Sequence, residues 1–285
     1  MTQMTQTSNL KRLQDSLAKS GTEAFLVSDI ESVQWVTGFT GSSAWAIVTP
    51  TGGRFVSDSR YTLQAAEQVH GLEIATSDSS ISRMDFLAKN LKAAGAAKIG
   101  FDADKMTVAT HRNLTAKAEG VTLESMSDPI LALRLIKQPD EVQKIREACK
   151  LADACLERVH RLIQPGVSEW EINLEIEFFF RKNMAELAFP PIVVSGERSA
   201  RPHGRASEKL LENGDFVTLD LGANLDGYCS DITRTVVLGR ASPRQRELYE
   251  QLLKAQVACI EAIKPGLKGK EVDGLARTIL GEKDF

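Results

Sequence analysis

Three residues carry the most chemistry in this sequence: Asp220, Asp231 and His203. The two aspartates lie in adjoining extended segments. Asp215-Phe216-Val217-Thr218-Leu219-Asp220-Leu221-Gly222-Ala223 alternates as a strand, Asn224-Leu225-Asp226-Gly227 carries an Asp-Gly turn signal, and Tyr228 to Leu238 reads as the return strand. With a side-chain period of two, Thr218, Asp220 and Gly222 share one face, and Cys229, Asp231, Thr233 and Thr235 share a face of the return strand. Two registers are open. A turn centred between Leu225 and Asp226 sets Asp220 directly opposite Asp231. A two-residue Asp226-Gly227 loop pairs Asp231 with Gly222, diagonal to Asp220. Both leave the carboxylates on one face, where like charges repel unless a proton, a base or a cation intervenes. Two hard carboxylates converging from adjacent strands suit a pair of divalent metal ions. The alternative is that one Asp faces water and the hairpin is only a polar-faced sheet. Asp215 and Asp226 belong to the strand start and the turn.

Upstream, Val194-Ser195-Gly196-Glu197-Arg198-Ser199-Ala200-Arg201-Pro202-His203-Gly204 is poor in apolar residues and bounded by glycines, so it reads as a loop. A histidine there, beside a carboxylate site, is a candidate acid, base or oxyanion donor; taken alone it is an ordinary surface residue.

The elements that must position these residues follow from periodicity. Ser168 with Glu171 three residues on is a capping box, opening a helix that runs to about Lys182. Before it, Pro139-Asp140-Glu141 starts a long helix whose apolar stripe includes Val142, Ile145, Ala148, Ala152, Cys155 and Val159, ending around Gln164-Pro165-Gly166. Two more helices, Arg244 to Ile263 and Lys270 to Leu280, close the sequence. The first half alternates helix and strand: a helix over about Asn9 to Lys19, strands at Ala24–Val27, Trp45–Val48 and Arg54–Val56, then further helix–strand alternation to Glu124. That pattern predicts an α/β domain with a partly parallel sheet. Residues 1–8 read as a short disordered lead, 9–134 as the first domain, and 135–285 as a second.

The 285 residues carry 35 Lys and Arg against 38 Asp and Glu, a net charge of −3, with 42% apolar residues. This composition excludes collagen-like, disulfide-stapled and wholly disordered chains. Near-neutral charge argues against a dedicated nucleic-acid surface. No apolar run reaches the ~18 residues a bilayer span requires, and the first residues lack the features of a secretory signal. Cys149, Cys155, Cys229 and Cys259 form no CxxC pair, which fits reduced thiols in a cytoplasmic protein.

These residues resemble the creatinase/Xaa-Pro peptidase family. Val194-Ser195-Gly196 through Arg201-Pro202-His203 is similar to the family's substrate-side His loop, and the strands bearing Asp220 and Asp231 are similar to its two metal-ligand strands. Val36-Thr37-Gly38-Phe39-Thr40-Gly41-Ser42-Ser43 and Asp58-Ser59-Arg60-Tyr61 resemble motifs of its N-terminal domain. Leu133-Arg134-Leu135-Ile136-Lys137, followed by Asp140-Glu141, resembles the start of its catalytic domain.

The resemblance implies an α/β N-terminal domain followed by the first part of an α+β pita-bread domain. It implies a metallopeptidase of the aminopeptidase P or prolidase type, hydrolysing the bond before proline in peptides or dipeptides. Two divalent ions (Mn, Co or Zn) would be held by Asp220 and Asp231 with a further His and two Glu, and His203 would bind substrate or steady the transition state without ligating metal. A homodimer is also implied. The histidines are His70, His111, His160 and His203, so the family's His ligand has no counterpart after His203, and the two strand glutamates have none either. The 285-residue chain by itself is therefore expected to be inactive. Two other readings stand beside this one: a non-catalytic binding or association module, and a metal-independent amidinohydrolase such as creatinase, against which the intact Asp220 and Asp231 argue.

Overall fold

A computed structural model describes residues 2–281 of the chain, with the side chains of residues 2–8 left undescribed. The chain divides into two compact units, Met1–Gln143 and Lys144–Phe285. The division falls within one long helix, several residues past the boundary expected at 134/135.

The first unit opens with α1 (Thr2–Ser20), β1 (Ala24–Val27), α2 (Ile30–Thr37), β2 (Trp45–Thr49) and β3 (Gly52–Asp58). It continues with α3 (Thr62–Gln68), β4 (Glu73–Ser77), α4 (Arg83–Ala93), β5 (Lys98–Asp102), α5 (Val108–Lys117), β6 (Thr122–Met126) and α6 (Pro129–Leu135). Helix α1 is thus drawn from Thr2, ahead of the Asn9 start that periodicity gives, and it is anchored through the buried Leu10, Leu13 and Leu17. Met1 lies outside the described residues.

The six strands form one sheet in the order β4-β3-β2-β1-β5-β6. β1–β5, β5–β6 and β3–β4 run parallel, while β1–β2 and β2–β3 run antiparallel. This is the partly parallel α/β sheet that the alternation predicts. Alternate residues of the strands feed two cores. Phe25, Val27, Ala46, Val48 and Phe55 pack with α1 and α2 residues, whereas Ala24, Leu26, Trp45, Ile47 and Val56 pack with α4 and α5 residues. β1 is buried throughout, as a strand covered on both faces must be.

α7 (Pro139–His160) carries the chain out of the first unit and into the second. Then follow α8 (Glu169–Lys182), β7 (Glu186–Leu187), β8 (Ile192–Ser195), β9 (Phe216–Leu221), β10 (Ala223–Leu225), β11 (Tyr228–Cys229), β12 (Ile232–Val237), α9 (Pro243–Ala262) and α10 (Gly269–Gly281). The strands make two three-stranded sheets, ordered β12-β9-β8 and β11-β10-β7. Val217, Leu219 and Leu221 on β9 bury one sheet face against Ala152, Cys155 and Val159 of α7 and Ile172, Ile176 and Phe180 of α8. The opposite face of β9, bearing Thr218 and Asp220, is only half-buried. Gln251 Nε2 donates to Ile279 O at 2.6 Å, joining α9 to α10.

Candidate active site

The hairpin bearing the two aspartates turns at Asp226-Gly227. Both residues have positive φ, 52° and 85°, the dihedral signature of a type I′ turn, whose twist matches that of the flanking strands. Leu225 pairs with Tyr228 and Asn224 with Cys229. The same register continues below, where Ile232 pairs with Leu221, Thr233 with Asp220 and Thr235 with Thr218. Asp231 therefore falls opposite Gly222 and diagonal to Asp220. Of the two registers compatible with the sequence, the one with a two-residue loop is present.

Asp220 is half-buried and Asp231 exposed. The diagonal placement separates the two positions by about 7–8 Å at Cα, far enough to relieve direct repulsion and close enough for both carboxylates to address a common centre. Thr233 Oγ1 donates to Asp220 Oδ1 at 2.9 Å, fixing the carboxylate while leaving its second oxygen available. Beside it, Thr218 and Thr235 share a hydroxyl–hydroxyl hydrogen bond of 3.0 Å. Gly222 is required where it stands: a Cβ there would sit 2.1 Å from Ser230 O and 2.9 Å from the Phe189 ring. The Ser230 hydroxyl accepts from the Ala223 N–H at 3.0 Å, stitching the strands together next to Asp231.

His203 is exposed, at the third position of a β-turn closed by Gly204 N–H donating to Arg201 O at 3.0 Å. Pro202 occupies the second position, for which its ring pre-sets φ. No hydrogen bond among the described residues links His203 to either aspartate. The structure thus brings Asp220 and Asp231 to one face and sets His203 in the loop between β8 and β9.

The loop's anchor is a residue that the sequence did not single out. Glu169, the first residue of α8, is wholly buried. It accepts hydrogen bonds from Ser195, Arg198 and Ser207, which lie on both sides of the His203 turn. Ser168 and Glu171 complete the expected capping box around it. The Ser168 backbone N–H and hydroxyl hold the Glu171 carboxyl below its usual range. That box accounts for the helix start and leaves Glu169 looking like one more first-turn acid; its burial is set by contacts with residues 26 to 38 positions away.

The donor set fits one flank of a divalent-metal site. The register sets two carboxylate-bearing positions on one side of the hairpin, and hard cations take carboxylate oxygens as ligands. A closed shell is not present: no group of three or more His, Cys, Asp or Glu able to hold a metal occurs among the described residues.

Comparison with known proteins identifies the family. The model of metallopeptidase family M24 matches residues 143–285, and that of the creatinase/prolidase N-terminal domain matches residues 9–136. Peptidase YqhT of Bacillus subtilis, itself uncharacterized, is 38% identical over 277 residues, covering 97% of this chain and 78% of the relative. An Xaa-Pro dipeptidase of Pyrococcus horikoshii is 33% identical over 284 residues, covering 97% of this chain and 77% of the relative. The solved structure of an Xaa-Pro dipeptidase from Bacillus anthracis superimposes with a TM-score of 0.90 at 38% identity, covering 98% of this chain and 78% of that one. The two family matches follow one another along the chain, and the chain belongs to the M24 metallopeptidases, with a creatinase/prolidase N-terminal domain ahead of its pita-bread domain.

Proposed function

We propose that the chain carries part of the active site of an Xaa-Pro metallopeptidase, hydrolysing the peptide bond before proline in peptides or dipeptides. The observation that carries this reading is the shared face of Asp220 and Asp231, diagonal across a type I′ hairpin, in a chain whose relatives include Xaa-Pro dipeptidases. Asp220 and Asp231 would hold the divalent ions, which when bound supply an activated water and polarise the scissile carbonyl. Thr233 orients Asp220 through its hydroxyl. His203, on a turn reaching into solvent, would donate to the substrate or to the oxyanion that forms from its carbonyl. The ions could be Mn, Co or Zn, since carboxylate ligands alone do not select among them. Homodimeric association and work in the cytoplasm belong to the same reading; the four cysteines are all free thiols.

Two aspartates alone bind a metal pair weakly, because tight sites need several convergent ligands. The 285-residue polypeptide, assayed by itself, is therefore proposed to turn over Xaa-Pro substrates little or not at all. The test compares metal content and Xaa-Pro hydrolysis of this polypeptide with those of a chain extended by a family segment supplying a His and two strand Glu. Activity and about two bound ions are expected in the extended chain, and both should be lost with Asp220→Ala or Asp231→Ala. Full activity in those two variants would refute the assignment of the ligands.

A further inference from the structure

We propose that Glu169 is a positioning residue for His203, tying together both arms of the loop that carries the histidine's turn. The inference rests on the role given to His203 above. The Glu169 carboxylate is completely buried and divides its two oxygens between the arms. Oε1 accepts from the Ser195 N–H at 2.7 Å and the Ser195 hydroxyl at 3.0 Å, on the arm leading into the loop. Oε2 accepts from the Ser207 N–H at 3.1 Å and the Ser207 hydroxyl at 2.7 Å, on the arm leading out. Arg198 Nε lies 3.2 Å from Oε1 and 3.0 Å from Oε2, and another guanidinium nitrogen of Arg198 donates to Arg205 O at 2.6 Å. The Arg201–Gly204 turn thus hangs from a frame closed on both sides by one carboxylate. Gly204, at its end, is buried so tightly that a Cβ would come within 2.6 Å of Val194 Cγ1.

A carboxylate is the group this frame needs. Every group aimed at it is a donor, and an ionised carboxylate is acceptor-only on two oxygens. Glutamine would keep the shape but turn an NH2 group toward the donors of one arm. Helix capping does not require Glu169, since Ser168 and Glu171 supply it. Nor is a buried ion pair an efficient way to add stability, since apolar side chains of similar volume often serve as well or better. The α8 N-terminus also holds the outgoing arm through its backbone, with Glu169 N–H donating to Lys209 O and Trp170 N–H to Ser207 O. The side chain's distinct contribution is to lock the incoming arm to the outgoing one, which sets where the turn between them points.

The test uses amide hydrogen exchange by NMR on the 285-residue chain, and kinetics on the extended chain. Glu169→Gln should raise exchange at Ser195, Gly204 and Ser207 at least tenfold, leaving Ile176 and Leu219 at wild-type rates. In the extended chain it should lower kcat at least tenfold, with KM and metal content held. Combined with His203→Ala, it should cost no more than His203→Ala alone, because a positioning residue has nothing left to position. If Glu169→Gln does not fold, Ser207→Ala removes one tether and should give a smaller loosening of the same amides. Unchanged exchange in the folded variants, exchange raised equally throughout the unit, or additive losses in kcat would overturn the inference. If His203→Ala leaves kcat intact, the role given to His203 fails, while the exchange data still decide whether Glu169 holds the turn.

Discussion

Asp220 has one hydrogen-bonding neighbour that a sequence reader would pass over. Thr233 looks like any strand threonine, yet the register places its hydroxyl 2.9 Å from Asp220 Oδ1. With Asp220 as the metal ligand proposed above, a partner that orients it should contribute about 10–100-fold in metal affinity. Thr233→Val keeps the β-branched shape that a strand favours and deletes only the donor. In the extended chain it should weaken Mn²⁺ binding about 10–100-fold, read by calorimetric titration, with the thermal midpoint little changed. Cys155 illustrates burial acting on a titratable group. Wholly inside the α7–α8 core, its thiol is pushed up to about 12 from an ordinary value near 9, with desolvation the leading cause and Glu175 adding to it. The unfolded chain releases this proton as pH passes its ordinary value, and the native state retains it. The contribution to stability is therefore complete below about pH 9 and is lost as pH rises toward 12. The gap in thermal midpoint between wild type and Cys155→Ala should accordingly narrow between pH 8 and 10. A constant gap would mean that the thiol does not resist ionisation. The shared side of the two aspartate positions was legible because strand parity sets it in either register; the burial of Glu169 was not, because its partners are distant in sequence.

At the scale of elements, the hairpin shows what a pattern leaves open. Both registers give the carboxylates the same face, so the hydrophobic alternation is blind to the difference. The decision lies in the backbone, where Asp226 and Gly227 adopt the positive φ values of a two-residue loop. Aspartate tolerates this region through its short polar side chain, and glycine adopts it without steric cost. The chosen register puts Gly222 against Asp231, with Ser230 O, Ala188 and Phe189 filling the space a side chain would need. Gly222→Ala should therefore cost about 1–3 kcal/mol by overpacking, measured by urea denaturation, and should shift the backbone resonances of Asp231. Two short helices, α2 and α6, were not legible from periodicity, since neither is long enough to show a repeating stripe. Their signals were local. Asp29 caps α2 by accepting from Ser32 N–H, and Gly38 closes it at φ 78°. Asp128 caps α6, with Pro129 as its first residue.

For the molecule as a whole, alternating helix and strand signals were enough to indicate the first unit's sheet, because each crossover is nearly as long as the pattern that reports it. Which faces the helices cover, and how the interior satisfies its polar groups, depend on pairs far apart in the chain. Glu141 is the clearest case in the first unit. Read from sequence it is a helix-start acid; in the structure it is nearly inaccessible, accepting from Trp35 Nε1 at 2.8 Å and from the Gln138 N–H at 2.7 Å. Arg12 comes within 3.5 Å of its Oε2 and also donates to Leu133 O at 2.6 Å. One carboxylate thereby ties α1, α2 and the start of α7 into the unit's core. Removing one partner from such a group leaves the others buried without compensation, a loss of about 3–5 kcal/mol. Glu141→Ala should lower stability by that amount in urea unfolding followed by tryptophan fluorescence. Because Trp35, Gln138 and Arg12 all lie within residues 1–143, the largest gains in amide exchange should fall in β1 and β2. Leu219→Ala offers the contrasting case. It opens a cavity among the buried residues of α7, α8 and β9, with an expected cost of about 2–5 kcal/mol. Its largest exchange gains should instead appear in α8, β8 and β9. Equal exchange gains across both units from either substitution would show that their cores do not respond separately.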